Sequence, residues 1–172
     1  MARKVGWAEP KLVITQPRIQ MVDGFHYFYV EERHIKENEA GACLRRLVPK
    51  LEAAFLNGFG KAPLPPLLVM FIDEGFQKGT YVYHVQAGYS VRSGTQPLGE
   101  ALVRIVPPTL VASMLVWGAR RSVVHTYGPL VEFMKSNGYK DIVGWREWYL
   151  YNESGRSSNN ISWIQHEVEE VS

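Results

Sequence analysis

The segment Trp145–Tyr151 has the residue pattern of greatest chemical interest in this sequence. In a β-strand, successive side chains point to opposite faces, so Trp145, Glu147, Tyr149 and Tyr151 would share one face. Three rings around one carboxylate do not suit a fully wet surface, and a dry core would require a partner for the acid. A half-enclosed cavity with aromatic walls and Glu147 at its floor satisfies both conditions.

Such a site suits a flat or greasy cation. The rings supply dispersion and cation–π attraction, and the carboxylate supplies the opposite charge. The alternative is that Glu147 pairs with an arginine of a neighbouring strand while the rings fill the core, since buried acids also occur in structural networks. The strand pattern by itself leaves both interpretations open.

The elements that would position this strand occur twice along the chain. Leu12–Pro17 is similar to Leu102–Pro107, and each is a short β-rich run that ends in proline. Further β-rich runs follow at Ile19–Val30 and Thr109–Trp117. Proline is expected at such turns because it fixes φ and has no N–H for the ladder. The repetition predicts a duplicated unit.

An amphipathic helix is predicted next in each half. Apolar residues recur at three- and four-residue spacing between Ala40 and Phe55, and again between Val123 and Met134. The glycines expected to end the two helices are Gly58 and Gly138.

Two further strands follow each helix, which gives the order β-β-α-β-β twice. Aligning the halves by length makes Leu68 the equivalent of Glu147, and Tyr83 the equivalent of Trp163. Runs of strands broken by single helices predict an α+β fold with an antiparallel sheet, two main helices and pseudo-two-fold symmetry. A central ligand cleft is expected where the halves meet, with an acid in one half only.

Composition and charge exclude several classes of function. The 172 residues include 19 basic and 17 acidic side chains, a net charge of +2, without the concentrated basic face of a nucleic-acid-binding protein. A single cysteine, Cys43, excludes a disulfide framework and a multi-thiolate metal site. The five histidines lack metal-ligand spacing, and no phosphate loop or dinucleotide fingerprint is present, so we expect no metal and no cofactor. Cys43 lies on the apolar stripe of the first helix and is expected to be a buried small hydrophobe.

The chain begins without the apolar run of a signal peptide, and no segment approaches the ~18 apolar residues that span a bilayer. We therefore expect a cytoplasmic protein that does not bind membranes. The predicted organisation is an N-terminal extension, residues 1–10, and one domain, residues 11–171. Two repeats, about 11–91 and 100–171, make up that domain.

Three segments are similar to those of a known protein family: Tyr127–Tyr139, the motif Arg146–Leu150, and Trp163–Val168. Over roughly Lys11 to Val171, the sequence resembles the gyrase-inhibitor-like (GyrI-like) family of small-molecule-binding domains. This family includes the effector-binding domains of multidrug-responsive bacterial transcription regulators. Family regulators carry a helix-turn-helix segment beside this domain, and only about ten residues precede Lys11. We therefore expect a stand-alone form without direct nucleic-acid binding.

The resemblance implies a duplicated α+β fold and a central acid that binds cationic drugs among aromatic residues. Glu147 matches that acid, Tyr149 lies in the matched motif, and Trp163 lies on the strand where the family often places a pocket aromatic. Together with the strand pattern, this predicts seven ligand-binding residues: Glu147, Tyr149, Trp163, Trp145, Tyr127, Tyr83 and Tyr151.

Three functions stay open at this point. The first is a sensor or sequestering protein that binds amphiphilic cations with Glu147 as counter-ion. The second, implied by stand-alone relatives, is a hydrolase of strained electrophiles in which Glu147 directs water as the catalytic residue. Binding is favoured because a hydrolytic site normally needs a second polar group to orient the water. The third is a protein-binding modulator of a regulator or topoisomerase, for which the aromatic stretch 25–30 could form a partner surface or instead a cavity wall. A homodimer is also open.

Overall fold

The computed structural model of the protein describes residues 12–119, 123–154 and 157–171. The expected N-terminal extension, residues 1–10, lies outside them. The described residues form nine strands, two α-helices and one 3-10 turn. In chain order these are β1 (Val13–Ile14), β2 (Arg18–Val22), β3 (Phe25–Lys36), the 3-10 turn (Glu37–Glu39), α1 (Ala40–Phe59), β4 (Leu67–Gln77), β5 (Thr80–Val91), β6 (Leu102–Val106), β7 (Thr109–Trp117), α2 (Val124–Ser136), β8 (Tyr139–Tyr151) and β9 (Ile161–Glu170).

All nine strands belong to one antiparallel sheet. Its order is β1-β7-β9-β8-β4-β5-β3-β6, and β2 also pairs with β7. The strands β4 and β8, one from each half of the chain, pair at the centre of the sheet. The expected α+β fold, with a duplicated unit, an antiparallel sheet and two main helices, is confirmed.

The two repeats exchange their first strands. β2 pairs with β7 of the second half, and β6 pairs with β3 of the first half. Two-residue turns, Asp23-Gly24 and Pro107-Pro108, connect these outer strands to β3 and β7. The expected run Ile19–Val30 is therefore broken into two strands. Gly24 is required at the break, because a Cβ there would lie 2.8 Å from the Val106 carbonyl oxygen.

Both helices pack on the same face of the sheet. The buried stripes recur at four-residue spacing, one of the two spacings that the sequence predicted. They consist of Cys43, Leu47, Leu51 and Phe55 on α1, and of Thr126, Leu130 and Met134 on α2. Burial raises the pKa of the Cys43 thiol to about 12, so this residue behaves as the small hydrophobe that was expected. Neither of the described helices is long and apolar enough to cross a membrane.

The helices end at different kinds of residue. α1 continues through Gly58 and ends at Gly60, not at Gly58 as predicted. Gly60 has φ +66°, the left-handed conformation that favours glycine, and its N–H donates to the Leu56 carbonyl at 2.8 Å. α2 ends at Ser136 with Asn137 as its C-cap, and Gly138, with φ +78°, follows that cap, close to the predicted stop.

The aromatic stretch 25–30 belongs to the core and is not an exposed surface. Its central residues are buried, with Phe28 and Val30 in the helix-side core and Tyr27 and Tyr29 in a separate cluster on the helix-free face. The buried side chains of β3 therefore fill both faces of the sheet. This removes the sequence support for a partner surface there.

Candidate functional site

Glu147 lies on the central strand β8, on the face that the helices cover. Only 5% of it is exposed. Its cross-strand neighbours are Val69 on β4 and Ile164 on β9, and both are fully buried. The carboxylate is therefore held between apolar neighbours at the middle of the sheet.

Three neutral donors satisfy this carboxylate. The Tyr127 hydroxyl donates to Oε1 from α2, and the Trp145 indole Nε1 donates to the same oxygen at 3.1 Å. The Tyr149 hydroxyl donates to Oε2 at 2.6 Å. Trp145 and Tyr149 flank Glu147 on one face because side chains alternate along a strand. Hydrogen bonds to an ionised carboxylate are among the stronger ones in proteins.

No cation compensates this charge in the described residues. None of their lysine, arginine or histidine side chains forms an ion pair with Glu147. The neighbouring Arg146 points to the opposite face, where its Nη1 lies 3.5 Å from Glu167. The interpretation of Glu147 as half of a structural arginine pair therefore finds no partner among these residues.

The Tyr127 phenol remains a neutral donor to Glu147. Burial, together with the adjacent Glu147 charge, raises the pKa of Tyr127 well above its ordinary value. Burial likewise raises the pKa of Tyr83 to about 12. A phenol that resists ionisation keeps its hydrogen, and so the Tyr127 hydroxyl stays a donor to the acid.

Trp145 is the centre of the ring cluster. Phe71 stacks on it with ring centroids 4.8 Å apart, and Tyr83 meets it edge-on at 5.0 Å. Tyr127 lies at 5.2 Å and His166 at 6.2 Å. Phe71 and His166 were not predicted. They are the cross-strand partners of Trp145, so only the strand pairing would have revealed them.

Two of the predicted residues lie elsewhere. Trp163 pairs with Trp148 between β9 and β8, which places it on the helix-free face. Tyr151 lies beyond a register shift at the end of β8 and is 51% exposed. The structure brings together the other five, namely Glu147, Trp145, Tyr149, Tyr127 and Tyr83.

The equivalence of the two halves differs from the one predicted. The matching turns Asp23-Gly24 and Pro107-Pro108 align β2 with β6 and β3 with β7. When the strand pairings are followed across the sheet from that match, Val69 becomes the equivalent of Glu147. Val69 is also its direct partner, so the pseudo-two-fold axis passes between these two residues.

The alignment of Leu68 with Glu147 was therefore wrong by one residue. Such a slip moves a side chain to the other face of a sheet, and Leu68 indeed pairs with Trp148 on the helix-free face. The alignment of Tyr83 with Trp163 also joins opposite faces and fails for the same reason. The acid still occurs in one half only, because its equivalent is a valine.

A cavity of about 1070 Å³ lies beside the ring cluster, between α1 and the segment that leads into β4. Its wall is mainly aliphatic and includes Leu44, Val48 and Leu56 of α1. Two rings, Tyr89 and Tyr149, also line it. Tyr149 connects the cavity to the acid, since its hydroxyl donates to Glu147. The rings thus close around Glu147 itself, whereas the wall of the open cavity is more aliphatic than expected.

No protein-family model matches the sequence, and no curated protein matches it significantly. Solved structures are nevertheless similar over nearly the whole chain. The C-terminal domain of EcmrR has a TM-score of 0.74 at 16% identity, covering 91% of this chain and 98% of that one. SAV2435, solved bound to tetraphenylphosphonium, has a TM-score of 0.63 at 13% identity, with 90% and 94% covered. A hydrolase from Listeria innocua has a TM-score of 0.57 at 12% identity, with 90% and 92% covered.

These likenesses, together with the duplicated strand order, define the class of fold. The chain has the gyrase-inhibitor-like effector-binding fold that its sequence predicted. At such low identity, the similarity establishes the architecture, while activity depends on the site that each protein builds on it.

Proposed function

We propose that this protein binds amphiphilic cations with Glu147 as counter-ion, as a sensor or sequestering protein. The observation that carries this proposal is a carboxylate, 5% exposed, whose described partners are all neutral donors. A buried charge without an opposite charge is costly, so a cationic ligand that approached it would be strongly favoured. The surrounding rings would add cation–π attraction. The fold that this chain shares with SAV2435, a protein solved with a lipophilic cation, is consistent with such a role.

The cavity beside α1 supplies the apolar part of the proposed site. Its volume of about 1070 Å³ is large enough for a drug-sized molecule. The aliphatic side chains of Leu44, Val48 and Leu56 would contact the greasy part of the ligand. The positive centre of the ligand would then approach Glu147 past Tyr149. Losing the Tyr149 hydrogen bond would cost about 1–3 kcal/mol, and the attraction between the cation and the acid would offset that cost.

A dye titration tests the proposal. Rhodamine 6G, a flat cation, would be titrated against wild type and Glu147→Gln, with fluorescence anisotropy as the readout. Glutamine keeps the size of the side chain and removes its charge, so we expect the affinity to fall about tenfold or more. Unchanged affinity would exclude Glu147 from the ligand site.

Glu52→Gln is the matched variant, because Glu52 is an exposed acid on the wall of the same cavity. It loses the same formal charge without touching the ring cluster. We expect a smaller effect than that of Glu147→Gln. The reverse order would assign the counter-ion to Glu52 and overturn the proposal.

A second function, the hydrolysis of strained electrophilic small molecules, is supported by one arrangement. Two tyrosine hydroxyls bind the Glu147 carboxylate, and one of them belongs to a residue that lines the cavity. Tyr149 would thus provide the second polar group that orienting a water requires. A hydrolase from Listeria innocua has the same fold.

Mass spectrometry distinguishes this activity from binding alone. Wild type, Glu147→Ala and Tyr149→Phe would each be incubated with a cyclopropane-bearing electrophile. Hydrolysis predicts a water-added product with wild type that disappears in Glu147→Ala and decreases in Tyr149→Phe. No product with wild type, or equal product in all three proteins, would exclude it.

A further inference from the structure

The helix-free face of the sheet contains a buried arginine with incomplete hydrogen bonding. Arg146 is 1% exposed and lies on the central strand β8. Its Nε, Nη1 and Nη2 atoms have no hydrogen-bond partner in the described residues. The nearest acid is Glu167, whose Oε1 lies 3.5 Å from Nη1. Since a guanidinium carries five N–H donors, this is an unusually unsatisfied buried cation.

A second arginine reaches the same place from the edge of the sheet. Arg104 of β6 places its guanidinium over the rings of Tyr27 and Tyr29, at 5.8 and 5.6 Å from their centroids. Its Nη2 contacts the Met70 sulfur at 2.8 Å, and its Nε has no partner among the described residues. Burial, and to a lesser extent the Arg104 charge, lower the pKa of Arg146, while Glu167 opposes this shift. The positive charge of Arg104 is therefore close enough to Arg146 to disfavour its charged form.

Both arginines line one small cavity of about 210 Å³. Glu167 contributes the acidic side chain in its wall, and the backbone turn at Val106 and Pro107 lies against it. The two arginines and the one acid among the lining residues carry a formal net charge of +1. Its volume is below that of a drug-sized site, so it suits a small ion or the charged end of a small acid.

We propose that this cavity is a binding site for a small oxyanion, held between Arg104 and Arg146. The planar guanidinium matches the two oxygens of a carboxylate, or two oxygens of a sulfate or phosphate group, in a bidentate arrangement. An anion there would accept hydrogen bonds from the unsatisfied Arg146 donors and balance the excess positive charge. The two arginines lie on the opposite face of the sheet from Glu147, although Phe71 and Trp145 of the ring cluster also line this cavity.

Chemical denaturation at constant ionic strength tests this site. The free energy of unfolding would be measured while chloride is replaced by millimolar sulfate in one series and by acetate in another. A bound anion stabilises the native state in a saturable way that follows its dissociation constant. We expect such saturation in wild type, with at least a threefold weaker apparent affinity in Arg146→Met and in Arg104→Gln.

Two controls separate binding from other effects. Arg46→Gln removes the same charge from an exposed arginine that pairs with Glu32, and should respond as wild type does. Glu147→Gln should also keep the anion response, so failure of the cation proposal would leave this result unchanged. If Arg146→Met does not fold, the comparison of Arg104→Gln with Arg46→Gln decides.

The outcomes are distinct. Saturation with acetate alone identifies a carboxylate ligand, saturation with sulfate alone identifies a tetrahedral oxyanion, and saturation with both identifies a general oxyanion site. Sulfate also stabilises proteins by exclusion from their surface, which gives an unsaturated response that is independent of any one arginine. That response in every variant, or no response at all, would overturn the proposal.

Discussion

Glu147 and Arg146 are adjacent in the sequence and almost completely buried, yet they lie in different environments. Strand alternation directs Glu147 toward the helices, where three neutral groups donate hydrogen bonds to it. Arg146 points to the helix-free face, where Glu167 is the acid within ion-pair distance. Two opposite charges that could neutralise each other are thus kept on opposite sides of one sheet. The two proposed ligand sites depend on this separation.

The largest effect is expected at Gly144, which lies on the same strand as these two side chains. It lies in the register shift between Asp141 and Trp145 and has φ +113°. A Cβ there would lie 2.1 Å from the Phe71 carbonyl oxygen. Backbone strain and this overlap should together cost Gly144→Ala about 3 kcal/mol or more of unfolding free energy, measured in urea.

Gly75→Ala is the control for this prediction. Gly75 has φ +97° in the register shift of β4, and no atom of the described residues lies within 4 Å of its Cβ position. Only the backbone strain applies, so we expect a loss of about 1 kcal/mol. Equal losses in the two variants would show that the close contact at Gly144 is unimportant.

A smaller difference is expected when each charge is replaced by an apolar side chain of similar size. Glu147→Leu leaves the Tyr127 and Tyr149 hydroxyls and the Trp145 N–H without their acceptor, which should cost about 2–3 kcal/mol in total. Arg146→Met removes a cation whose described donors make no hydrogen bond, so the change should stay within about 1 kcal/mol in chloride buffer. Urea unfolding measures both. A larger loss of unfolding free energy for Arg146→Met than for Glu147→Leu would contradict the difference expected between the two faces.

The smallest expected effect is on the stability at alkaline pH, through Tyr89 in the cavity wall. Burial raises the pKa of Tyr89 from its ordinary value of 10.0 to about 12. The unfolded chain ionises this phenol first, so its contribution to stability is complete below pH 10 and is lost as the pH rises through 12. Tyr89→Phe should therefore flatten the fall of unfolding free energy between those pH values. Tyr151→Phe, at a half-exposed position, is the control and should keep the pH dependence of wild type. Equal curves for the two variants would contradict the prediction.

The local parts of the fold and site were predictable from the sequence. Alternation along β8 placed Trp145, Glu147 and Tyr149 on one face, and the apolar spacing located both helices. These properties depend on neighbours within a few residues. The glycine that ends α1 was misplaced by two residues, because Gly58 and Gly60 carry the same local signal and only the observed φ separates them.

The pairing of distant segments was not predictable in the same way. Register between strands depends on turns such as Asp23-Gly24 and on shifts such as the one at Gly144. A one-residue error in aligning the halves therefore selected Leu68 in place of Val69. Trp163, which the family resemblance suggested, lies on the helix-free face opposite Trp148. The approach of Arg104 to Arg146 depends on the strand exchange that brings β6 beside β3, for which no local pattern exists.

The central claim is that Glu147 attracts positive charge, beyond the tendency of an apolar cavity to take up greasy molecules. Tetraphenylphosphonium and tetraphenylborate have nearly the same shape and opposite charges, so the ratio of their affinities isolates the electrostatic contribution. Equilibrium titration of both ions against wild type and Glu147→Gln would measure this ratio. We predict that wild type prefers the cation by about tenfold or more, about 1.4 kcal/mol, and that this preference disappears in Glu147→Gln. The same ratio in both proteins, or a preference of wild type for the borate, would contradict the claim.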